Sequence, residues 1–393
     1  MALSFRWIYL PIIALVAPYI RDRYRALSIL LANAPGRFED LYSVRSYEIK
    51  FADQIRNCED VVLEESLGIA FLGCDPGRDR WNTGMGILHP PHPTNPDSNF
   101  GTIYLYDYTN APNDINALSF SPSWPGASDF HPMGLAFDTT TSTLYAINHS
   151  RYSGSNIESF NVSVSSHTLT HVQTLKHPLI HTPNAIQLLS NGKMYVTNEH
   201  YIRAADSFIL SQIETFGAIP GGNVVYVDTT TSDVKLLARL PFANGIVKLN
   251  DTTLVVASSS TPGLYFYSIA PDGIGLKLVN IIRTPAGPDN LSVDGKGKVL
   301  IAGHPYAPEI EEVAHGRGEC HENGTEEQRK KCTCWAPSWV GEWSEEGGLK
   351  TLLKDSGKGE NGICSSSTAV RDVRKGVGMV TMLYGKGLVM FRE

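Results

Sequence analysis

The sequence predicts an all-β fold, a six-bladed β-propeller behind an N-terminal hydrophobic helix. Three observations carry this. From about residue 60 onward the chain is a succession of short β-rich runs, such as GIAFLG, TIYLYDY, MYVTN, NVVYV, TLVVASS and VLIAG. No stretch there holds its apolar residues at a 3.6-residue period. The 35 Gly and 23 Pro are spread over all 393 residues, which is the punctuation of many turns. Finally, one unit recurs: MGLAFDTTTSTLYAIN (133–148), PNAIQLLSNGKMYVTN (183–198), ANGIVKLNDTTLVVAS (243–258) and PDNLSVDGKGKVLIAG (288–303). LGIAFLG (67–73) and SSTAVRDVRKGVGMVTM (366–382) are shorter copies, making six. The full copies are roughly 45–60 residues apart, near the ~40–50 residues of a four-stranded blade. Six blades lie within the common range of ~4–8.

The elements follow in chain order. Trp7–Ile20 is a 14-residue run without charge, between Arg6 and RDRYR. It is short for a span of ~20 residues and typical of a secretory signal. Ala17 has Leu15 two positions before it and Pro18 after it, a poor cleavage site. Residues 1–25 are therefore expected to be an uncleaved signal anchor that ties the chain to a membrane; a buried apolar helix is the alternative. Residues 26–44 connect it to a propeller over 45–393. The mixed segment FEDLYSVRSYEIKFADQI is read as a short helix or an edge strand. Arg21, Arg23 and Arg25 follow the run and by the positive-inside rule favour a cytoplasmic body. Five sequons (Asn148, Asn161, Asn250, Asn290, Asn323) and six cysteines, three of them within 320–334, favour a lumen or the exterior. The second location is expected. The net charge of −7 has no long block of one sign, which argues against a nucleic-acid surface. Residues 75–100 and the Cys-bearing insertion 315–343 are expected to arch over the channel. Their Trp81 and Trp335 point to an apolar or aromatic ligand. The insertion reads as stapled by disulfide, with zinc on Cys320, His321, Cys332 and Cys334 as the alternative.

In a propeller the innermost strands line one channel, so residues at their starts converge although they are far apart in sequence. Those residues are Asn184, Asn244 and the pair Asp289–Asn290, with Glu59–Asp60 shortly before the first unit. Carboxylates with carboxamides make a hard-oxygen set, which suits Ca²⁺; zinc would want His or Cys. Glu59 and Asp289 would neutralise the dication. Taken alone, Asn244-Gly245 in PFANGI is a hairpin signal. In phase with the repeat it reads as a ligand. Asn290, as an axial ligand, could carry no glycan.

The segments CEDVVLEESLGIAFLG, FHPMGLAF, INHS, PNAI…MYVTNEHY, FANGI, PDNLSVD, GHP and STAV stand in an order that resembles the paraoxonase/arylesterase family. These are calcium-dependent six-bladed propeller lactonases, and the resemblance covers roughly residues 45–393. It implies a catalytic calcium on Glu59, Asn184, Asn244, Asp289 and Asn290. It also implies a second, structural calcium on Asp60, the carbonyl of Leu135 and an aspartate after Asn184, a place held here by Ala185. The family's proposed histidine dyad falls on His149 and on Met133, which cannot accept a proton. His131 is then a candidate substitute and Glu59 a candidate general base, while His304 is expected at the pocket. The family's cysteine pair falls on Glu48 and Phe391, so Cys58 and Cys364 become a candidate clasp between the first and last units. The implied activity is attack of water on a lactone or aryl ester beside Ca²⁺. No Gly-x-Ser-x-Gly occurs, so a serine hydrolase has no support. The alternatives are a metal-assisted cyclase or isomerase on the same frame and a non-catalytic binding propeller resembling strictosidine synthase.

Overall fold

A computed structural model of the protein describes residues 6–92, 99–321, 323–359 and 362–393, with the backbone alone for residues 6–13 and 15. Six sheets of four strands surround a central axis, two of them with a fifth edge strand. The innermost strands of blades one to six are Cys58–Glu64, Pro132–Asp138, Pro183–Leu188, Ala243–Asn250, Gly287–Val293 and Ser366–Asp372. Each packs on the inner strand of the next blade, and the sixth returns to the first. The expected propeller is therefore present, with one shift at its start. Glu59 and Asp60 lie within the first inner strand, and GIAFLG belongs to the second strand of that blade, Ile69–Cys74.

Blades are buried on both faces, so their inner strands read as apolar runs with little alternation. Each interface between neighbours holds its own wedge of core. Ile147, Val196 and Val225 join blades two and three, and Val224, Leu254 and Val256 join three and four. The outermost strand of blade four, Leu276–Arg283, is largely exposed. The ring is closed by both ends of the chain. Ser46–Lys50 is the outer strand of blade six, antiparallel to Leu388–Arg392, and Leu41–Tyr42 edges blade five. The mixed segment near residue 38 thus resolves as edge strands. Glu48 there faces Met390, and Phe391 faces Tyr47.

All six cysteines are paired, as Cys58–Cys74, Cys320–Cys332 and Cys334–Cys364. The candidate Cys58–Cys364 clasp, one of the pairings the sequence left open, is not formed: Cys58 and Cys74 stand opposite each other on adjacent strands of one blade. Zinc on Cys320, Cys332 and Cys334 is also excluded, because their sulfurs are spent on disulfides. The insertion is shorter than expected, since Ser338–Ser344 is the third strand of blade five. Residues 93–98 of the expected channel loop lie outside the described residues.

Three helices matter for the site. Helix α1 (Arg6–Ala32) runs beside the channel mouth, as do α2 (Phe208–Phe216) and α3 (Ala307–Arg317). Tyr19 Oη of α1 donates to the carbonyl of Gly217 at 2.9 Å, and Arg23 donates to the carbonyls of Phe216 and Ser260 at 3.2 and 3.0 Å. Asp22 pairs with Arg283, and Asn33 Nδ2 donates to the Pro285 carbonyl at 2.7 Å. Among the described residues no helix is long and apolar enough to cross a membrane, so the anchor expected over residues 1–25 gains no support; residues 1–5 lie outside the described residues.

Candidate active site

Every inner strand slips register against its neighbour at its first residues. The slips fall between Cys58 and Asp60, Pro132 and Leu135, Pro183 and Ile186, Ala243 and Ile246, Pro288 and Leu291, and Ser366 and Ala369. A bulge bends a strand and re-aims its side chains. Six bulges in phase put one residue per blade at the same point: Glu59, Met133, Asn184, Asn244, Asp289 and Ser367. The repeat as read from sequence is thereby corrected by one position. Asn184 and Asn244 correspond to Asp289, while Asn290 corresponds to Asp60, Ala185, Gly245 and Thr368. The Asn-Gly pair opens a strand and makes no hairpin. A Cβ on Gly245 would lie 2.6 Å from the Asp289 carbonyl oxygen, so glycine lets blade four approach blade five this closely.

The converging side chains are buried, and their nitrogens are spoken for. Asn184 Nδ2 donates to Glu199 Oε2 at 3.5 Å, Asn244 Nδ2 to Ser259 Oγ at 3.1 Å, and Asn290 Nδ2 to Glu59 Oε1 at 2.7 Å. Their oxygens are not. Asn184 Oδ1, Asn244 Oδ1, Asn290 Oδ1 and Glu59 Oε2 are buried without a protein partner. Buried polar atoms are nearly always paired, and each orphan costs ~1–3 kcal/mol. Burial, together with Asp60 and Asp289, pushes the Glu59 carboxyl well above the usual carboxylate range. The protein alone is short of positive charge here. Among the described residues no three His, Cys, Asp or Glu gather as a metal site, so the carboxamides complete this set. Chemically it could hold a hard divalent cation.

The residues implied for a second ion behave differently. Asp60 Oδ2 accepts from the Leu135 amide at 2.7 Å, and its Oδ1 accepts from the Val61 amide and Thr368 Oγ1 at 2.8 and 2.9 Å. Burial pushes Asp60 up to about 6 even so. Leu135 meets Asp60 through its N–H, and Ala185 offers a methyl group. These residues do not fit a second ion.

A further ring stands where the second strand of each blade ends: Asp75, His149, Glu199, Ser259, His304 and Leu383. Glu199 and His304 border the same cavity as Glu59, Asn184, Asn244 and Asp289. Glu199 escaped sequence reading, yet the hairpin predicts it, since Pro183 pairs with Asn198 and brings the next residue to the mouth. Burial opposes its ionisation, but His200, His149 and Asn184 hold it below the usual range. His304 meets the expectation placed on it: Nε2 lies 2.9 Å from Asp289 Oδ2, and Nδ1 is without a partner.

Neither histidine considered for the dyad lines the cavity. His149 donates Nε2–H to the Pro183 carbonyl at 2.6 Å, and its Nδ1 accepts from the Thr83 hydroxyl. Burial holds it below the ordinary imidazole range. His131 is buried between Asp75, at 3.0 Å, and Asp129, at 3.6 Å. Met133 does border the cavity, and Arg78 Nη1 contacts its sulfur at 3.0 Å.

The cavity encloses about 480 Å³. Its floor is Glu59, Asn184, Asn244 and Asp289, with Asn290 behind Glu59, and its walls are Phe216, Phe242, Met85, Ile310 and one face of α1. Trp81 and Trp335, expected to face a ligand, do not line it. Trp81 donates to the His149 carbonyl beneath Arg151, and Trp335 packs against the cluster of Ile87 and Ile310. Of the sequons, Asn148 and Asn290 are buried, and Asn161, Asn250 and Asn323 are exposed.

Comparison with known proteins agrees with this architecture. The chain is 28% identical over 300 residues to serum paraoxonase/arylesterase 2 of Canis lupus familiaris, covering 74% of this chain and 79% of that one. It is 26% identical over 279 residues to serum paraoxonase/lactonase 3 of Oryctolagus cuniculus, covering 70% and 73%. In fold it is similar to a gluconolactonase from Xanthomonas campestris (TM-score 0.51, 14% identity, 92% of each chain). It is also similar to a luciferin-regenerating enzyme (TM-score 0.52, 10% identity, 88% of this chain and 95% of that one). The arylesterase family model matches residues 84–313, more than half of the chain. With that match, this protein belongs to the arylesterase family.

Proposed function

We propose that the protein is a calcium-dependent hydrolase of lactones or aryl esters. The observation that carries this is the set of four buried, partnerless oxygens, on Glu59, Asn184, Asn244 and Asn290, gathered with Asp289 under an apolar cavity. These five residues would hold Ca²⁺. When bound, the ion would act as a Lewis acid for the charge that develops on the carbonyl oxygen. The relatives are named as lactonases and arylesterases, which supports the same reaction class.

The chain's own residues divide the remaining work. Ser259, Glu199 and Thr368 fix the three carboxamides by engaging their nitrogens, so that the oxygens stay available. His304 donates Nε2–H to Asp289, which leaves the Nδ1 lone pair to take the proton from the attacking water. This moves the base from Glu59, His131 and His149 to His304. Met133 keeps the opposite wall apolar. Disulfide closure of all six cysteines supports a luminal or extracellular location; peptide mapping should find glycan at Asn161, Asn250 or Asn323.

Simple lactones and phenyl esters should be hydrolysed, and a chelator should abolish the activity until calcium is restored. His304→Gln should lower kcat by roughly 10²-fold or more with calcium binding retained. Bound calcium without turnover of any such substrate would favour enolisation or isomerisation of another small molecule. A wild-type protein that binds no calcium would favour the non-catalytic propeller.

A further inference from the structure

Helix α1 carries consequences beyond attachment. Its residues 22, 23, 26, 29, 30 and 33 recur every three or four positions and so share one face. That face turns to the propeller. Asp22, Arg23 and Asn33 bind it by polar contacts, and Ala26, Ile29 and Leu30 are half-buried and border the cavity. The wall is thus held at both ends, with its aliphatic part between.

We propose that α1 is a wall of the substrate site, and that Ala26, Ile29 and Leu30 select the group attached to the reacting carbonyl. This rests on the hydrolase reading above. Two features give the direction of selection. The floor carries the carboxylates and carboxamides of Glu59, Asn184, Asn244 and Asp289, while Ala26, Ile29 and Leu30 of α1 present aliphatic carbon. The one guanidinium on that wall, Arg23, is spent on Asp22 and on the carbonyls of Phe216 and Ser260, leaving it little to offer a ligand. A volume of about 480 Å³ also exceeds what a few reacting atoms fill, and lies within the range of drug-sized ligands. The part of the substrate remote from the carbonyl therefore lies against α1 and is apolar.

The test compares specificity constants for phenyl acetate and 4-nitrophenyl decanoate in the full chain. Ala26→Trp narrows the cavity from the helix, and Leu30→Trp repeats this one turn later. Each should lower kcat/KM for the decanoate roughly tenfold, mainly through KM, and change phenyl acetate by less than about twofold. Leu31→Trp lies on the outer face, where Leu31 is 47% exposed, and should leave both substrates within about twofold. If the wild type hydrolyses both esters and neither inward variant shifts their ratio, the proposal is overturned and the hydrolase reading stands. If the wild type hydrolyses neither, the hydrolase reading fails and takes the proposal with it.

Discussion

Asn244→Ala should abolish hydrolysis, with kcat/KM falling by roughly 10²–10³-fold or more, while the propeller stays folded. Asn244 Oδ1 is buried and has no protein partner, so in the metal-free chain it contributes desolvation cost and no bond. Removing it takes away one ligand of the proposed ion together with that cost, about 1–3 kcal/mol. Its nitrogen gives up one hydrogen bond to Ser259, a smaller loss of about 0.5–1.5 kcal/mol. The metal-free variant should accordingly melt at or slightly above metal-free wild type. Calcium should stabilise the wild type and leave the variant unmoved, because only a ligand that binds the native state raises its stability. Steady-state kinetics and thermal melts with and without calcium check both halves. A variant that keeps full activity would remove Asn244 from the site. One that melts far below wild type without metal would make it a structural residue.

The second large effect lies at the opposite end of the inner strands and concerns stability. Arg371, at the end of the inner strand of blade six, is 3% exposed. Its Nε donates to Asp294 Oδ2 of blade five at 2.9 Å, and Nη1 lies 2.9 Å from Glu342 and also contacts Glu393. Lys298 adds a contact to Glu342 at 2.6 Å. The guanidinium thus ties blade five to blade six and to the final residue, beside the seam where the ring closes. Removing one partner of a buried pair leaves the other charge uncompensated, at a cost of about 3–5 kcal/mol. Arg371→Ala should therefore lower the melting temperature by on the order of 10 °C. Calcium binding per folded chain should not change, since none of the proposed ligands is involved. A shift within a degree or two would show that water compensates these carboxylates.

Much of the fold was legible because the repeat is written in turn residues and short apolar strands, and both are local signals. The copies at 133–148, 183–198, 243–258 and 288–303 all prove to be the first two strands of a blade. In the first blade the sequence points to the wrong strand, because GIAFLG is the more apolar of the two hairpin strands. The inner strand, CEDVVLE, carries the acidic residues that make it look like a loop. The bulges were invisible: an extra residue in a strand leaves no mark on composition, yet it moved the phase of Asn290 by one. Partner choice was also beyond the sequence. Oxygen-bearing ligands could be listed from type and phase. That His131 and His149 spend their ring nitrogens on Asp75, Thr83 and the Pro183 carbonyl depends on long-range packing. Glu199 and His304 occupy equivalent places at the ends of second strands, and only the register between strands reveals it. The N-terminal run is a helix, as its apolar composition predicts. Its role at the cavity could not be read, because the contacts of Asp22 and Asn33 lie more than two hundred residues away in sequence.

The proposed chemistry requires one cation held by five oxygen-bearing side chains. Elemental analysis with calorimetric titration of purified protein measures this directly. The prediction is one calcium per wild-type chain and none in Asp289→Ala that remains folded by circular dichroism. A metal-free wild type, two equivalents per chain, or full retention of calcium by Asp289→Ala would contradict it.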